Sequence, residues 1–294
     1  MGEFFALGSA LAWAFAVVLF RKSGETVSPL ALNLFRVSVS SVLFLVTLLL
    51  TGKPFFGQAP IADYGILLLS GFIAIALSDT LFHMCLNRVG AGINAIVDTF
   101  YSPFILLFAY FMLGEKLGFP QIVGMAFIVI GILVATRVKP PVGVTRGTLV
   151  AGILLGIGAM CSLAFGIVLA KPVLERTDLI WATSVRQFGS LMVLVPIALV
   201  HSDRRTLFQV FRPQKSWKYS LTGTLMGSYL ALIMWVGGMK YIPAGKAGIL
   251  NQTSTIYILL LATIFLKEAF TLRKAVAAFL ALLGVLMVLG VIWK

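Results

Sequence analysis

The stretch GAGINAIVDTFYSPFILLFAYFMLGEK, residues 90–116, decides the fold of the whole chain. It is as long as a transmembrane helix, since about 20 apolar residues cross the hydrocarbon core of a bilayer. It also holds an acid, Asp98, and a proline, Pro103, that removes one hydrogen bond of the helix backbone. A glycine and a carboxylate, Gly114 and Glu115, end it. These features predict a membrane-spanning helix with a polar break near its middle.

A second stretch repeats this pattern after a shift of 153 residues. It reads PAGKAGILNQTSTIYILLLATIFLKEA, residues 243–269, and aligns with the first stretch without a gap. The residues identical in both stretches are Ala91/Ala244, Gly92/Gly245, Ile96/Ile249, Ile105/Ile258, Leu106/Leu259, Leu107/Leu260, Ala109/Ala262, Leu113/Leu266 and Glu115/Glu268. The chain is therefore predicted to be an internally duplicated membrane protein.

The composition makes the lipid bilayer the main partner of this chain. Hydrophobic residues make up 60% and charged residues 11% of the 294 residues, whereas soluble domains average about 25% charged. The net charge is +13, but the basic residues stand in the short gaps between apolar runs, where they act as topology signals. We therefore expect no nucleic-acid partner. The two cysteines, Cys85 and Cys161, lack metal-site spacing, and we expect no metal site and no cofactor.

Ten apolar runs of membrane length follow one another along the sequence. Because a helix satisfies its own backbone hydrogen bonds in lipid, and the runs are too long for barrel strands, they predict an all-α integral membrane protein with ten transmembrane helices. The runs cover residues 3–20, 30–50, 63–86, 91–113, 119–136, 147–169, 179–200, 218–239, 245–266 and 272–292.

The repeat also includes the first helices, at a shift of 150 residues. Here the matching residues are Gly8/Gly158, Ala14/Ala164, Phe15/Phe165, Val18/Val168, Leu19/Leu169 and Arg36/Arg186. The two predicted repeats, residues 1–140 and 141–294, hold five helices each. Since five is odd, the second repeat enters the membrane opposite to the first. Inverted repeats are common in secondary transporters, which bind substrate near mid-membrane between the halves.

The loops predict an orientation from their basic residues. Fourteen Lys and Arg residues stand in the odd-numbered loops, against seven in the even-numbered loops and the C-terminus. Basic residues are enriched on the cytoplasmic side, so the odd loops are predicted to be cytoplasmic and both termini external.

Several motifs together resemble a known family. Trp13 lies in the first helix, an arginine closes LALNLFR (residues 30–36) and TSVR (residues 183–186), and the fourth helix contains Ser102-Pro103 followed by Gly114-Glu115. With five-helix halves, this pattern resembles the EamA-type branch of the drug/metabolite transporter superfamily. The second half departs from it, because Ile256 replaces the proline and Lys267-Glu268 replaces the glycine–glutamate pair.

This resemblance implies a multi-pass transporter of the cell (inner) membrane. Family members move amino acids and related metabolites, often outward, through a cavity lined mainly by helices 3, 4, 8 and 9. They often have cytoplasmic termini, which conflicts with the orientation predicted from loop charge.

Five ionisable residues inside apolar runs are candidates for function: Arg36, Asp79, His83, Asp98 and Arg186. Each costs about 2.5–3.5 kcal/mol at the membrane centre, so such residues face the bundle interior. The two arginines are equivalent in the repeat and lie near helix ends, which favours a structural role. The other three have no charged equivalent, which favours contact with substrate; the alternative for Asp79 and Asp98 is structural pairing with an arginine. Asp79 and His83 share a helix face, and we expect His83 to neutralise Asp79.

The break at Pro103 corresponds to a polar turn, NQTST, at residues 251–255 of the ninth helix. Five consecutive polar residues exceed what one helix contact needs, so we expect a hydrated cavity there. Glu115 and Glu268, at equivalent helix ends, are expected to cap or gate. The predicted cavity residues are Trp13, Asp79, His83, Asn94, Asp98, Tyr101, Trp235, Asn251, Gln252 and Ser254.

The pattern predicts a secondary transporter, with export the expected direction, for a small polar or amphipathic metabolite such as an amino acid. The alternative is a proton-coupled exporter of organic cations or drugs. A buried carboxylate disfavours its charged form, so Asp98, and to a lesser extent Asp79, are the candidates for proton coupling. An enzyme would need a nucleophile–base pair or metal cluster at membrane depth, and a structural subunit would not need the polar turn.

Overall fold

The computed structural model describes residues 2–56, 59–114, 118–138, 144–235 and 250–288, and within these ranges the chain is all-helical. Seven helices are long and apolar enough to cross a membrane, and a shorter apolar helix covers Leu250–Phe265. The helices are α1 Gly2–Ser23, α2 Pro29–Leu50, α3 Ile61–Val89, α4 Ala91–Leu113, α5 Phe119–Thr136, α6 Arg146–Arg176, α7 Leu179–Val200, α8 217–235, α9 Leu250–Phe265 and α10 Leu272–Val288. A short helix, Arg204–Phe208, lies in the loop before α8.

Local sequence sets several of these helix ends. Ser28 caps α2 by accepting from the backbone N–H of Ala31, and Asp178 caps α7 by accepting from Ile180 and Trp181. Such caps satisfy the free N–H groups of a first helical turn. Ser28 and Asp178 are 150 residues apart, so the caps occupy equivalent positions in the repeat. Asp178 also forms an ion pair with Lys53.

Three helices are locally distorted near their middle. A π-helical segment, Phe72–Leu77, interrupts α3, and another, Thr224–Ala231, interrupts α8. The two segments coincide after a shift of 153 residues. In α4 a 3₁₀ turn, Asp98–Phe100, precedes the turn that contains Pro103. Segments of this kind re-aim side chains and are frequent at functional sites.

A buried asparagine supports the π-helical segment of α3. The side-chain amide of Asn33 donates hydrogen bonds of 3.1 Å to the carbonyls of Ile75 and Ala76. It also lies 3.0 Å from the hydroxyl of Thr80. Backbone groups that a distorted helix frees must find partners in a membrane interior, and the α2 side chain supplies one here.

The helices of the first and second halves of the chain pack against each other in matched pairs. Helix α1 contacts α8 and α9, and α6 contacts α3 and α4 in the same way. Helices α2 and α7 pack together, as do α4 with α9 and α5 with α10. If each of the helices α1–α5 is exchanged with its counterpart among α6–α10, the same pairs of contacting helices are obtained.

Individual hydrogen bonds between helices are also equivalent under this exchange of the two halves. Ser9 donates a hydrogen bond of 2.9 Å to the carbonyl of Ala231, and Ser78 donates one of 2.8 Å to the carbonyl of Ala159. Residues 9 and 159 are equivalent in the repeat, and so are 78 and 231, with serine and alanine exchanged. Interhelical hydrogen bonds of this kind hold membrane helices together.

Small residues bring paired helices close together. A Cβ on Gly166 would lie 2.7 Å from the Cβ of Ala74, and one on Gly227 would lie 2.6 Å from the Cβ of Ala16. These contacts are again equivalent, with glycine and alanine exchanged. Because lipid offers no hydrophobic drive between helices, such close backbone contact supplies much of the packing energy.

Candidate functional site

A cavity of about 250 Å³ lies between the two halves of the chain. It is lined by residues of α1, α2, α3, α4, α6, α7, α8 and α9. Its polar and aromatic wall contains Ser9, Trp13, Arg36, Asp79, Phe82, Asp98, Tyr101, Thr183, Arg186, Gln187, Ser228, Trp235, Asn251, Gln252, Ser254 and Thr255.

The first charged group of the cavity is an ion pair between α2 and α3. The guanidinium of Arg36 lies 2.7 Å from the carboxylate of Asp79, with the side chains 7% and 15% exposed. Its Nε also donates to the hydroxyl of Ser228 on α8, at 2.8 Å, and its Cζ lies 5.5 Å from the centre of the Phe20 ring. Arg36 thus ties α2 to both α3 and α8.

The equivalent arginine of the second half has different surroundings. Arg186 on α7 is buried, and its Nε donates to the hydroxyl of Ser70 on α3 at 3.0 Å. No carboxylate of the described residues forms an ion pair with it. The sequence predicted a structural role for both arginines, and the structure places both on the cavity wall.

Asp98 lies at the 3₁₀ turn of α4, on the cavity wall. Its carboxylate accepts hydrogen bonds of 3.2 and 3.3 Å from the side-chain amide of Asn94, and no basic residue of the described ranges pairs with it. Asn94 was predicted to line the cavity, but it is buried behind the wall and reaches the cavity only through its hydrogen bonds to Asp98. Pro103, one turn on, is buried. The acid and the local break in the α-helix thus lie at the same place in α4.

The polar turn of α9 faces α4 across the cavity. The side-chain amide of Gln252 lies 3.4 Å from the hydroxyl of Ser102, and the hydroxyl of Thr255 lies 3.4 Å from the carbonyl of Ala95. Asn251, Gln252 and Ser254 all line the cavity, together with Tyr101.

The prediction that His83 neutralises Asp79 is wrong, because Arg36 holds that carboxylate. His83 is buried, and its ring meets Phe20 and Phe82 edge-on at 5.2 and 5.4 Å. It lies behind Phe82, which lines the cavity and packs 5.7 Å from Trp13. His83 and Asp79 share a helix, but the distortion before Ser78 and the position of α2 decide their partners.

Glu268 lies away from the cavity and caps α4. Its carboxylate accepts from the backbone N–H groups of Ala91 at 2.6 Å and Gly92 at 3.0 Å, and Lys274 lies 3.3 Å away. Glu115, its equivalent, lies outside the described residues.

Sequence analysis missed four polar residues of the wall: Ser9, Thr183, Gln187 and Ser228. Gln187 could have been predicted from the sequence. It is a polar residue within an apolar run, next to Arg186, and such residues face the interior of the helix bundle. The described residues hold no group of three His, Cys, Asp or Glu side chains suited to a metal. The wall therefore offers charged, hydrogen-bonding and aromatic groups suited to reversible binding of a small molecule.

Comparison with known proteins gives three findings. The model of the EamA-like transporter family matches residues 1–137 and 150–290. An uncharacterized transporter of Bacillus subtilis (strain 168), YetK, is 27% identical over 279 residues, 92% of this chain and 81% of that protein. An uncharacterized transporter of Methanothermobacter thermautotrophicus (strain Delta H) is 24% identical over 223 residues, 76% of this chain and 64% of that protein.

The crystal structure of another protein is similar in fold. It covers 97% of this chain and 95% of its own, with a TM-score of 0.65 and 16% sequence identity.

Proposed function

Since the chain belongs to the EamA-like transporter family, we propose that it is a secondary transporter of a small polar or amphipathic metabolite, such as an amino acid. The observation that carries this proposal is the cavity to which α1–α4 and α6–α9 both contribute. Binding between two halves at mid-membrane is how many secondary transporters work. The assignment is to transport rather than to an enzymatic reaction.

The proposed architecture is ten transmembrane helices in two inverted repeats, residues 1–140 and 141–294. The exchange symmetry of helix contacts supports it, as do the equivalent π-helical segments Phe72–Leu77 and Thr224–Ala231. Alternating access then follows from rocking one half against the other around the cavity. We place the protein in the cell (inner) membrane, with export as the direction and, from loop charge, external termini.

Purified protein in proteoliposomes tests the transport proposal. Vesicles loaded with unlabelled amino acids, amines or sugars should take up the matching labelled compound by counterflow, and empty vesicles should not. Counterflow of no compound above that of protein-free vesicles would contradict the proposal. A tag in the loop 201–217 and another at residue 294 should be accessible from opposite sides, with the loop cytoplasmic.

A second candidate, a proton-coupled exporter of organic cations, is favoured by one observation: Asp98 lines the cavity and forms no ion pair with the described residues. A buried carboxylate disfavours its charged form, so in this candidate mechanism Asp98 binds a proton and an organic cation in turn. We expect Asp98→Asn to remain folded and to lose transport driven by a pH gradient, while counterflow persists. Wild-type dependence on the pH gradient in Asp98→Asn vesicles would remove this role from Asp98.

A further inference from the structure

The charged residues of the cavity break the symmetry of the repeat at Asp98, which is equivalent to Asn251, and at Asp79. Arg36 and Arg186 are equivalent at the shift of 150 residues, and Asp79 is equivalent to Leu232 at the shift of 153. Arg36 therefore has an acid on the next helix of its own half, whereas the position that would serve Arg186 holds leucine. Leu232 and Arg186 line the same cavity.

No acid of the described residues pairs with the guanidinium of Arg186. The residue is 6% exposed, and among the described residues its hydrogen-bond partner is the neutral hydroxyl of Ser70. Asp79 lines the same cavity, but its carboxylate is bound to Arg36 at 2.7 Å. A buried charge without a counterion is costly, and a folded protein normally pairs it.

A second buried group points into the same space. Gln187, next to Arg186, is 2% exposed and lines the cavity, and its side-chain oxygen has no hydrogen-bond partner among the described residues. Buried polar atoms in proteins are almost always hydrogen-bonded. Among the described residues, the guanidinium of Arg186 thus has no carboxylate partner and the oxygen of the adjacent Gln187 has no hydrogen-bond donor.

We propose that Arg186 is the anchor for a carboxylate of the transported substrate, with Gln187 accepting a neighbouring N–H or O–H of the same molecule. The inference rests on the proposed transport function and names the class of its substrate: small organic monoanions or zwitterions with a free carboxylate. Guanidinium and carboxylate form two parallel hydrogen bonds. One free guanidinium balances a single negative charge, whereas a phosphate ester carries about 1.5 to 2. The aromatic rings of Trp13 and Trp235 offer contact to an apolar body.

Matched ligands test the carboxylate requirement. The probes are L-leucine and L-phenylalanine, the amides of both, and the amines that lack the carboxyl group, with inorganic phosphate as a separate arm. Binding to the purified full chain in detergent is followed by tryptophan fluorescence, since Trp13 and Trp235 line the cavity. We expect at least one acid to bind about tenfold or more tightly than its amide, equivalent to about 1.4 kcal/mol. Absence of any acid-over-amide preference, or binding of phosphate as tight as that of the acids, would overturn the proposal.

Three variants assign the preference to Arg186. Arg186→Gln should abolish the acid-over-amide preference, and Arg186→Lys should retain only part of it because lysine lacks the planar fork. Leu232→Asp keeps the arginine but supplies the missing acid, and it should abolish the preference too. Leu232→Asn, equal in size and uncharged, should retain it. An unchanged preference in Arg186→Gln or in Leu232→Asp would overturn the assignment, and the aspartate variant answers the question even if the arginine variant does not fold.

The outcomes for this inference and for transport are separable. If wild-type vesicles transport the amines and amides as well as the acids, the transport proposal is supported and the proposed role of Arg186 as carboxylate anchor is wrong. If acids bind through Arg186 but no probe shows counterflow, the anchor stands and the transport proposal falls.

Discussion

Replacing Asp79 by leucine gives the first half of the chain the residue that the second half has at position 232. The structure predicts a large cost, because Arg36 would lose the carboxylate 2.7 Å away while both side chains are almost fully buried. Breaking a buried ion pair by removing one partner costs about 3–5 kcal/mol. Arg36 keeps the hydroxyl of Ser228 and the ring of Phe20, so we expect a value near the lower end, about 3 kcal/mol.

A double-mutant cycle separates the ion pair from simple loss of packing. Arg36→Met alone should also destabilise strongly, because it leaves Asp79 buried without a cation. The double variant, Arg36→Met with Asp79→Leu, should cost much less than the sum of the single variants, since apolar replacement of a buried pair is often neutral. We expect a coupling of at least about 2 kcal/mol between the two sites.

The assay is reversible unfolding of the purified protein in mixed micelles with increasing SDS, followed by circular dichroism. Single variants whose costs add to that of the double variant within about 0.5 kcal/mol would refute the reasoning, because they would mean that the two charges are stabilised independently of each other.

Three further predictions follow from close contacts and from the cavity wall. Gly124→Val should destabilise the protein by about 1–3 kcal/mol, because a Cβ there would lie 2.6 Å from the carbonyl oxygen of Gly284. The control Gly65→Ala should not destabilise it, because a Cβ there meets nothing within 4 Å. Equal costs of the two variants in SDS unfolding would contradict this prediction. Glu268→Gln should lower the free energy of unfolding by about 1 kcal/mol, because it weakens the cap on α4. An unchanged unfolding midpoint would contradict this prediction. A cysteine at Asn251, after replacement of the native cysteines, should react with water-soluble thiol reagents faster than one at Leu106, and equal rates would argue against a hydrated wall.

The helices were predictable because a membrane-spanning helix needs a long run of apolar residues, and hydropathy measures how apolar a run is. The run 91–113 coincides with the observed helix Ala91–Leu113, and the run 119–136 coincides with Phe119–Thr136. The run 147–169 is shorter than the observed helix Arg146–Arg176, because the last turns contain Lys171, Glu175 and Arg176. Charged residues end an apolar run, but they do not end a helix whose backbone continues into the polar interface.

The π-helical segment of α3 was not predictable from its residues. FIAIAL, residues 72–77, carries no proline and no polar residue that would mark a distortion. The distortion depends on contacts from other helices, including the amide of Asn33 and the close approach of Gly166 on α6 to Ala74. Sequence periodicity describes one helix at a time, so it contains no information about these contacts.

The partners of the cavity residues could not be predicted from single helices either, but comparison of the two repeats gives further information. Sequence placed Asp79, Asp98 and Tyr101 in the membrane interior, but it could not tell that α2 would bring Arg36 rather than His83 to Asp79. That choice depends on the rotation of one helix against another. The repeat adds information that single helices lack, because each residue of one half has a counterpart whose surroundings are a reference.

Contacts that recur in both halves of the chain form the scaffold of the protein. Ser9 and Ser78 make equivalent hydrogen bonds to the opposite half, and such contacts hold both halves in one packing. A contact made in one half alone, such as the ion pair of Arg36 with Asp79, is not required by a packing that both halves share. The difference between Asp79 and Leu232 changes which charges of the cavity have a partner, and among the described residues it leaves Arg186 without an acid. The asymmetry between equivalent residues therefore indicates the substrate more directly than any single polar residue does.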